Sequence, residues 1–329
     1  MSFRKTALAA ALAAALATPA LAAPPPGIPD GWSDAFAYAN GARLHYYHAT
    51  PNPGKPVMVM VHGVTDNGLT WTTLTRDLEK DYDIYMLDTR GHGLSDPFND
   101  GNDGDTLAKD VVGFVGAMGF EKPILMGHSM GAATVMRIGA DYPTLARAIV
   151  MFDPGLPRAP GAAPAGAGPR PAAQPPRPAG PAPGAAPAAP AARRPGSFSM
   201  FGGPELLVTQ NNDPYETFVE TCGRQNRLWD PVDCQYWALS KKQYHGAYTP
   251  AQQRAMSGIM QGGDALSRIA VPALILKADT TPEGREANLA AASVMKTGKL
   301  IHIDGAAHNL HHDKRAKTVE LVKAFLGGV

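Results

Sequence analysis

Several things are scarce in this 329-residue chain, and each scarcity removes a class of function. There are only two cysteines, Cys222 and Cys234, so neither a disulfide-dense scaffold nor a Cys-rich metal module is available. Charged residues make up 18% of the chain, and no cluster of lysine and arginine forms a basic patch, which leaves nucleic-acid binding without support. The formal net charge of +1 is unevenly spread. Two of the positive charges lie at Arg4 and Lys5, and five more (Arg158, Arg170, Arg177, Arg193, Arg194) fall between Pro154 and Pro204 without an acid. The rest of the chain is therefore mildly acidic. Long apolar runs are missing as well. The Ala/Leu stretch from Ala7 to Ala17 is too short to span a bilayer. With Arg4 and Lys5 before it and Ala20-Leu21-Ala22 after it, residues 1–22 read as a secretory signal peptide, and the expected location is periplasmic or extracellular.

Export gives the two cysteines a meaning. In an oxidising compartment, residues so close in sequence are expected to form one local disulfide, worth about 3 kcal/mol on the chain-entropy model. Two buried free thiols are the alternative. No strand–turn context surrounds either cysteine, which speaks against a catalytic thiol.

The stretch that organises the chain is Pro123-Ile124-Leu125-Met126-Gly127-His128-Ser129-Met130-Gly131. An apolar run ends in Gly-x-Ser-x-Gly and passes at once into the helix-forming Ala132-Ala133-Thr134-Val135-Met136. That strand–turn–helix context is what a nucleophile elbow requires, with glycines where the chain turns too sharply for a Cβ. It would raise the Ser129 hydroxyl above the strand ends, beside a helix N-terminus that favours negative charge. Around it, apolar runs alternate with helical periodicity. Val57 to Val61, Ile84 to Leu87, Ala148 to Phe152, Pro272 to Leu276 and Lys299 to Ile303 read as strands, with helices over Leu69–Leu78, Leu107–Met118 and Lys314–Phe325. Asn40-Gly41 between two alternating segments reads as a two-residue hairpin turn. The pattern indicates an α/β fold, a mostly parallel central sheet with helices on both faces.

The segments His62-Gly63, Asp88-Thr89-Arg90-Gly91-His92-Gly93-Leu94-Ser95 and Gly127-His128-Ser129-Met130-Gly131 resemble those of the α/β-hydrolase fold superfamily, in that family's order and spacing. The resemblance implies a core in two parts, residues 23–154 and 269–329, with an inserted helical cap at 198–268. It also implies roles. Ser129 is the expected nucleophile and His308, in a Gly-x-x-His turn past the last strand, its base. Two aspartates compete for the acid. Asp279 stands where the family most often carries it but lacks the usual Gly-x-x-Asp turn. Asp153-Pro154 resembles the subgroup, including some lactonases and dehalogenases, whose acid follows the sixth strand, and Asp153 is the preferred candidate. The N–H groups of Val64 and Met130 are the expected oxyanion donors.

Other histidines have plainer readings. His62 and His92 lie in loops the family uses structurally, His302 sits on a strand, and His311 and His312 are expected to be solvated at a helix start. A metal site from His308, His311 and His312 is disfavoured, because adjacent histidines point different ways and no carboxylate spacing supports it. No cofactor is implied.

The implied activity is cleavage of a small carboxylic ester or lactone. Relatives acting on epoxides or alkyl halides use aspartate at the elbow, whereas perhydrolase, carbon–carbon hydrolase and cyanohydrin-cleaving relatives keep serine. A binding protein on the same scaffold is the third alternative. Residues 155–197 are Pro/Ala/Gly/Arg-rich and cannot bury enough surface to offset ordering entropy, so a disordered linker is expected. Its arginines suit weak contact with an anionic envelope surface, although a solvated linker without a partner is the simpler reading. Within the cap, Trp229, Tyr236, Trp237, Tyr244 and Tyr248 either line a substrate pocket or pack the cap's own core.

Overall fold

A computed structural model describes residues 25–156, 210, 212–247, 249–261 and 263–329. The expected signal peptide, nearly all of the expected linker and Tyr248 lie outside those residues.

Among the described residues the sheet has eight strands: β1 (Ser33–Ala39), β2 (Ala42–His48), β3 (Val57–Val61), β4 (Asp83–Leu87), β5 (Ile124–His128), β6 (Ala148–Phe152), β7 (Ala273–Lys277) and β8 (Gly298–His302). Their order is β1-β2-β4-β3-β5-β6-β7-β8. The pairs β1·β2 and β2·β4 are antiparallel, and every pair from β4 to β8 is parallel. The first hairpin closes where Ala39 faces Ala42, with Asn40 at φ 48° and Gly41 at φ 69°. Two consecutive left-handed residues are what a type I′ turn demands, and Asn-Gly supplies them at least steric cost.

The helices described in full are α1 (Thr72–Leu78), α2 (Thr106–Ala117), α3 (Met130–Asp141), α4 (Tyr215–Gln225), α5 (Pro231–Lys242), α6 (Pro250–Gly258), α7 (Ala265–Arg268), α8 (Pro282–Ala292), α9 (Leu310–Asp313) and α10 (Arg315–Leu326). A 3₁₀ turn, Gly68–Trp71, precedes α1. Strands β3 and β6 are apolar at every position because both faces are covered. Val59, Val61, Leu125, Ile149 and Met151 face Val111, Phe114, Val135 and Ile138 of α2 and α3. The alternate residues Met58, Met60, Met126, Val150 and Leu274 face Leu74, Leu78, Val322 and Leu326 of α1 and α10. Each such side chain, fully buried, contributes about 1.5–3 kcal/mol.

Helices α4 to α7 are inserted between β6 and β7. Cys222 of α4 and Cys234 of α5 form a disulfide with Cα atoms 5.4 Å apart. Helix α5 packs on the 3₁₀ turn and α1, and α6 packs on α2. Trp229, Tyr236 and Tyr244 are buried, so packing accounts for these three aromatics. The Trp229 indole N–H donates to Asp313 and the Tyr236 hydroxyl to the Gly27 carbonyl. Among the described residues, no helix is long and apolar enough to cross a membrane.

The chain runs from β3 to β4 on one side, then returns past β3 to β5 on the other. Loops leaving β3 and β5 therefore diverge at the carboxyl edge of the sheet, the crevice where open α/β sheets bind ligands. Ser129 follows β5 there, and Val64 follows β3.

Candidate active site

Ser129 sits between β5 and α3 with φ 52° and ψ −110°, a left-handed conformation that a serine adopts only under constraint. The constraint comes from both sides. Its N–H donates to Phe152 O at 2.9 Å, and its carbonyl accepts from Ala133 N–H at 3.0 Å. A Cβ on Gly127 would collide with the carbonyl of Gly131, and one on Gly131 with the carbonyl of Val61. Both glycines are thus required by contact, and the second presses the elbow against the end of β3. Ser129 itself is 4% exposed.

The loop after β3 is a tight turn closed by Asp66 N–H to Gly63 O at 3.2 Å. His62 Nδ1–H donates to Gly63 O at 2.7 Å, while His62 Nε2 accepts from Thr89 N–H at 3.1 Å. His62 thereby ties the β3 loop to the β4 loop and is fully used in doing so. Among the described residues, the N–H groups of Val64 and Met130 take part in no hydrogen bond. They leave adjoining loops at the same sheet edge, Met130 as the first residue of α3 with its orphan donors.

His308 lies in the loop after β8, past Gly305 at φ 66°. Its Nδ1 is 2.6 Å from Oδ2 of Asp153. The carboxylate accepts from Nδ1–H, which leaves Nε2 as the lone-pair nitrogen. The His308 carbonyl accepts from Nε2–H of His128 at 3.0 Å, so the residue preceding Ser129 anchors this loop beside the elbow. No hydrogen bond between Ser129 Oγ and His308 is present among the described residues; such contacts often close only around bound substrate.

Asp153 is itself a left-handed residue, at φ 45°. Its Oδ1 accepts from Ala278 N–H at 3.1 Å and lies 2.5 Å from the Lys277 ammonium, which also donates to Pro154 O at 2.9 Å. Burial alone would push the carboxyl up. The His308 hydrogen bond and the Lys277 charge outweigh it and hold Asp153 well below the usual carboxylate range.

The other aspartate candidate is placed differently. Asp279 accepts from Gly305 N–H at 2.7 Å and Thr280 N–H at 2.9 Å and pairs with Arg285, and its own N–H donates to Ala306 O at 2.8 Å. It grips the turn that carries His308 and not the imidazole. The Gly305 and Arg285 contacts bring its carboxyl down to about 2.

His311 and His312 correct the sequence expectation, for both are buried and not solvated. The short helix α9 turns inward. It sets His311 between Trp71, Phe152 and His128, with ring centroids 4.8, 5.6 and 4.7 Å away. His312 Nδ1 is 3.0 Å from Asp233 of α5, whose other oxygen accepts from the Thr73 hydroxyl at 2.7 Å. Partners this distant in the chain leave no local trace in sequence. Burial holds His311 well below the ordinary histidine value and presses His128 down to about 3. Among the described residues, no group of three or more His, Cys, Asp or Glu is placed to hold a metal ion.

Sequence reading missed Lys277, the cation on Asp153, and Lys241, a cation of α5 that reaches the β3 loop. Lysine ending an otherwise apolar strand, Ala273-Leu274-Ile275-Leu276-Lys277, was the available signal for the first. Nothing local marked the second.

A model of the alpha/beta hydrolase fold family matches residues 56–315. The 2-(acetamidomethylene)succinate hydrolase of Mesorhizobium japonicum is 35% identical over 98 residues, which are 30% of this chain and 35% of that protein. The N-formylmaleamate deformylase of Pseudomonas putida is 36% identical over 118 residues, 35% of this chain and 43% of the relative. The chain thus matches 35% and 43% of the length of these two curated relatives. The crystal structure of E-2-(acetamidomethylene)succinate hydrolase aligns with a TM-score of 0.64 at 16% identity, covering 90% of this chain and 99% of that one. At that identity the likeness concerns the fold.

Proposed function

Because this chain belongs to the alpha/beta hydrolase fold family, we propose that it is a serine hydrolase that cleaves a carboxylic ester or lactone through an acyl-enzyme. The observation that carries the reading is the 2.6 Å contact of His308 Nδ1 with Asp153, on the sheet edge where Ser129 is held in its strained turn.

A serine hydroxyl is a poor nucleophile until a base takes its proton. His308 Nε2 removes the proton from Ser129 as Oγ attacks the substrate carbonyl. Asp153 holds the imidazole in the tautomer with Nδ1–H and stabilises the imidazolium that forms. The carbonyl oxygen becomes an oxyanion, received by the N–H groups of Val64 and Met130, each worth roughly 10²–10³ in rate. As the tetrahedral intermediate collapses, the carbon–oxygen bond breaks and His308 returns its proton to the leaving alkoxide. A water then gives its proton to His308 and attacks the acyl carbon, and as the second intermediate collapses His308 returns that proton to Ser129 Oγ, releasing the acid and the free serine. The inserted helices α4 to α7 serve as the cap that selects the substrate.

Cleavage at an acylated nitrogen is the second reading. It is favoured by the relatives, one named as a hydrolase of an acetamido compound and one as a deformylase.

The enzyme acts after export. The 1–22 leader and the Cys222–Cys234 disulfide, a bond that persists in oxidising compartments, support this.

The test is covalent labelling with a fluorophosphonate, followed by hydrolysis assays on short esters, lactones and N-acyl compounds. Wild-type protein should be labelled on Ser129, and Ser129→Ala should lose both label and turnover. Labelling that persists in Ser129→Ala would refute the assignment. Faster turnover of N-acyl compounds than of any ester would favour the second reading.

A further inference from the structure

Among the described lysines, Lys241 is the one whose side chain is buried. It lies near the end of α5, is 3% exposed, and reaches from the inserted helices to the loop that follows β3. Its ammonium donates to Thr65 O at 3.0 Å, Thr65 Oγ1 at 2.8 Å and Asp66 Oδ1 at 2.8 Å. An ammonium has three N–H bonds, and these contacts use all of them. No donor remains for a substrate carboxylate, so Lys241 is not a substrate anchor.

What it holds is the four-residue turn around Val64. Thr65 has φ 66°, a left-handed conformation that a β-branched residue adopts at a cost of about 1–3 kcal/mol and keeps only where its surroundings insist. Lys241 bonds both the carbonyl and the hydroxyl of that residue. Asp66 closes the turn through its N–H to Gly63 O, and its Oδ2 lies 4.0 Å from His128 Nδ1. Beneath the turn, a Cβ on Gly63 would come within 2.8 Å of His128 Nδ1, so the loop rests directly on the elbow. The same stretch of the insertion takes a second grip through Asn67 Nδ2–H to Gln243 Oε1 at 2.7 Å.

We propose that Lys241 is a positioning residue for the oxyanion hole: by pinning Thr65 and Asp66, it fixes the direction of the Val64 N–H. The inserted helices then complete the catalytic apparatus as well as covering it, because one of the two oxyanion donors is aimed by a side chain that only they supply. The inference rests on the serine-hydrolase reading. Burial lowers the Lys241 ammonium, and the facing Asp66 carboxylate opposes that shift. Burial opposes the Asp66 carboxylate, yet the adjacent ammonium outweighs it and keeps its titration below the ordinary value.

The test is the kinetics of Ser129 phosphonylation by a fluorophosphonate in the full-length protein, resolved into the encounter constant and the maximal rate. Lys241→Met should lower the maximal rate by roughly 10- to 100-fold, the cost of misaiming one donor, and leave the encounter constant within about threefold. A general loosening of the fold would disturb both. Lys241→Met strands the Asp66 charge and can unfold the chain. The double variant Asp66→Asn/Lys241→Met removes both charges, and the same loss of maximal rate is expected in it. Wild-type maximal rates in the double variant, or in a folded Lys241→Met, would overturn the proposal. Failure of wild-type protein to label at Ser129 would instead refute the serine-hydrolase reading itself.

Discussion

Lys277 ends β7 with its ammonium nitrogen 2.5 Å from Oδ1 of Asp153, the carboxylate oxygen that His308 does not use. One aspartate is therefore shared between a fixed cation and the imidazole it orients. The cation helps to keep the carboxylate ionised in spite of burial.

Lys277→Met should accordingly narrow the acid side of the activity profile. With the ammonium gone, the Asp153 carboxylate faces the imidazole without a competing cation, so the protonated form of the base is favoured and the acid limb of kcat/KM moves up by roughly one pH unit. Lys277→Arg should restore the wild-type limb. The measurement is kcat/KM against pH for all three proteins; an unmoved limb in Lys277→Met would show that the ammonium does not govern Asp153.

His128 supplies a pH dependence of stability. Burial and the neighbouring His308 push it from 6.5 down to about 3, so between those values the unfolded chain binds a proton that the folded chain does not. Stability is then complete above about 6.5 and falls as the pH drops towards 3, by about 1.4 kcal/mol per pH unit for one such group. Urea denaturation between pH 7 and pH 4 should show His128→Gln with a shallower acid slope than wild type. Equal slopes would contradict the assignment. His45 acts in the opposite sense. Although burial opposes it, Asp88 and Asp34 raise it, so its contribution is complete below 6.5 and lost as the pH rises through its folded value.

The disulfide should matter locally. Cys222 and Cys234 join α4 to α5, the helix that carries Lys241. Cys234→Ala should cost about 3 kcal/mol of stability and open the α4–α5 turn to proteolysis. It should also slow Ser129 phosphonylation, because the anchor for the β3 loop is loosened with it. Unchanged proteolysis patterns would count against this coupling.

Much of the framework was readable from residue order. Alternation of apolar runs with 3.6-period segments gave the sheet and the core helices α1, α2, α3 and α10, because central parallel strands must be apolar on both faces and surface helices on one. Asn40-Gly41 was legible because few residue pairs accept two left-handed conformations. Gly127 and Gly131 were legible because only glycine fits where a Cβ would meet a carbonyl. Helix α8 escaped notice: its run Pro282–Ala292 has little apolar periodicity and buries only Ala292.

The candidate site was legible where its chemistry is local and opaque where it depends on folding. Ser129 stood out from its flanking glycines. Asp153 and Asp279 both end strands in sequence, and only the three-dimensional path of the β8 loop decides which one meets His308. The burial of His311 and the reach of Lys241 and Lys277 depend on elements many residues away, for which no spacing rule exists.

The most direct test of the account is kcat/KM for Asp153→Asn and Asp279→Asn on one ester substrate at neutral pH. Asp153→Asn leaves the imidazole without its carboxylate and should lower kcat/KM by roughly 10³–10⁴-fold. Asp279→Asn alters exposed contacts to Gly305, Thr280 and Arg285 that do not touch the imidazole and should stay within about tenfold of wild type. A collapse in Asp279→Asn with Asp153→Asn near wild type would contradict it.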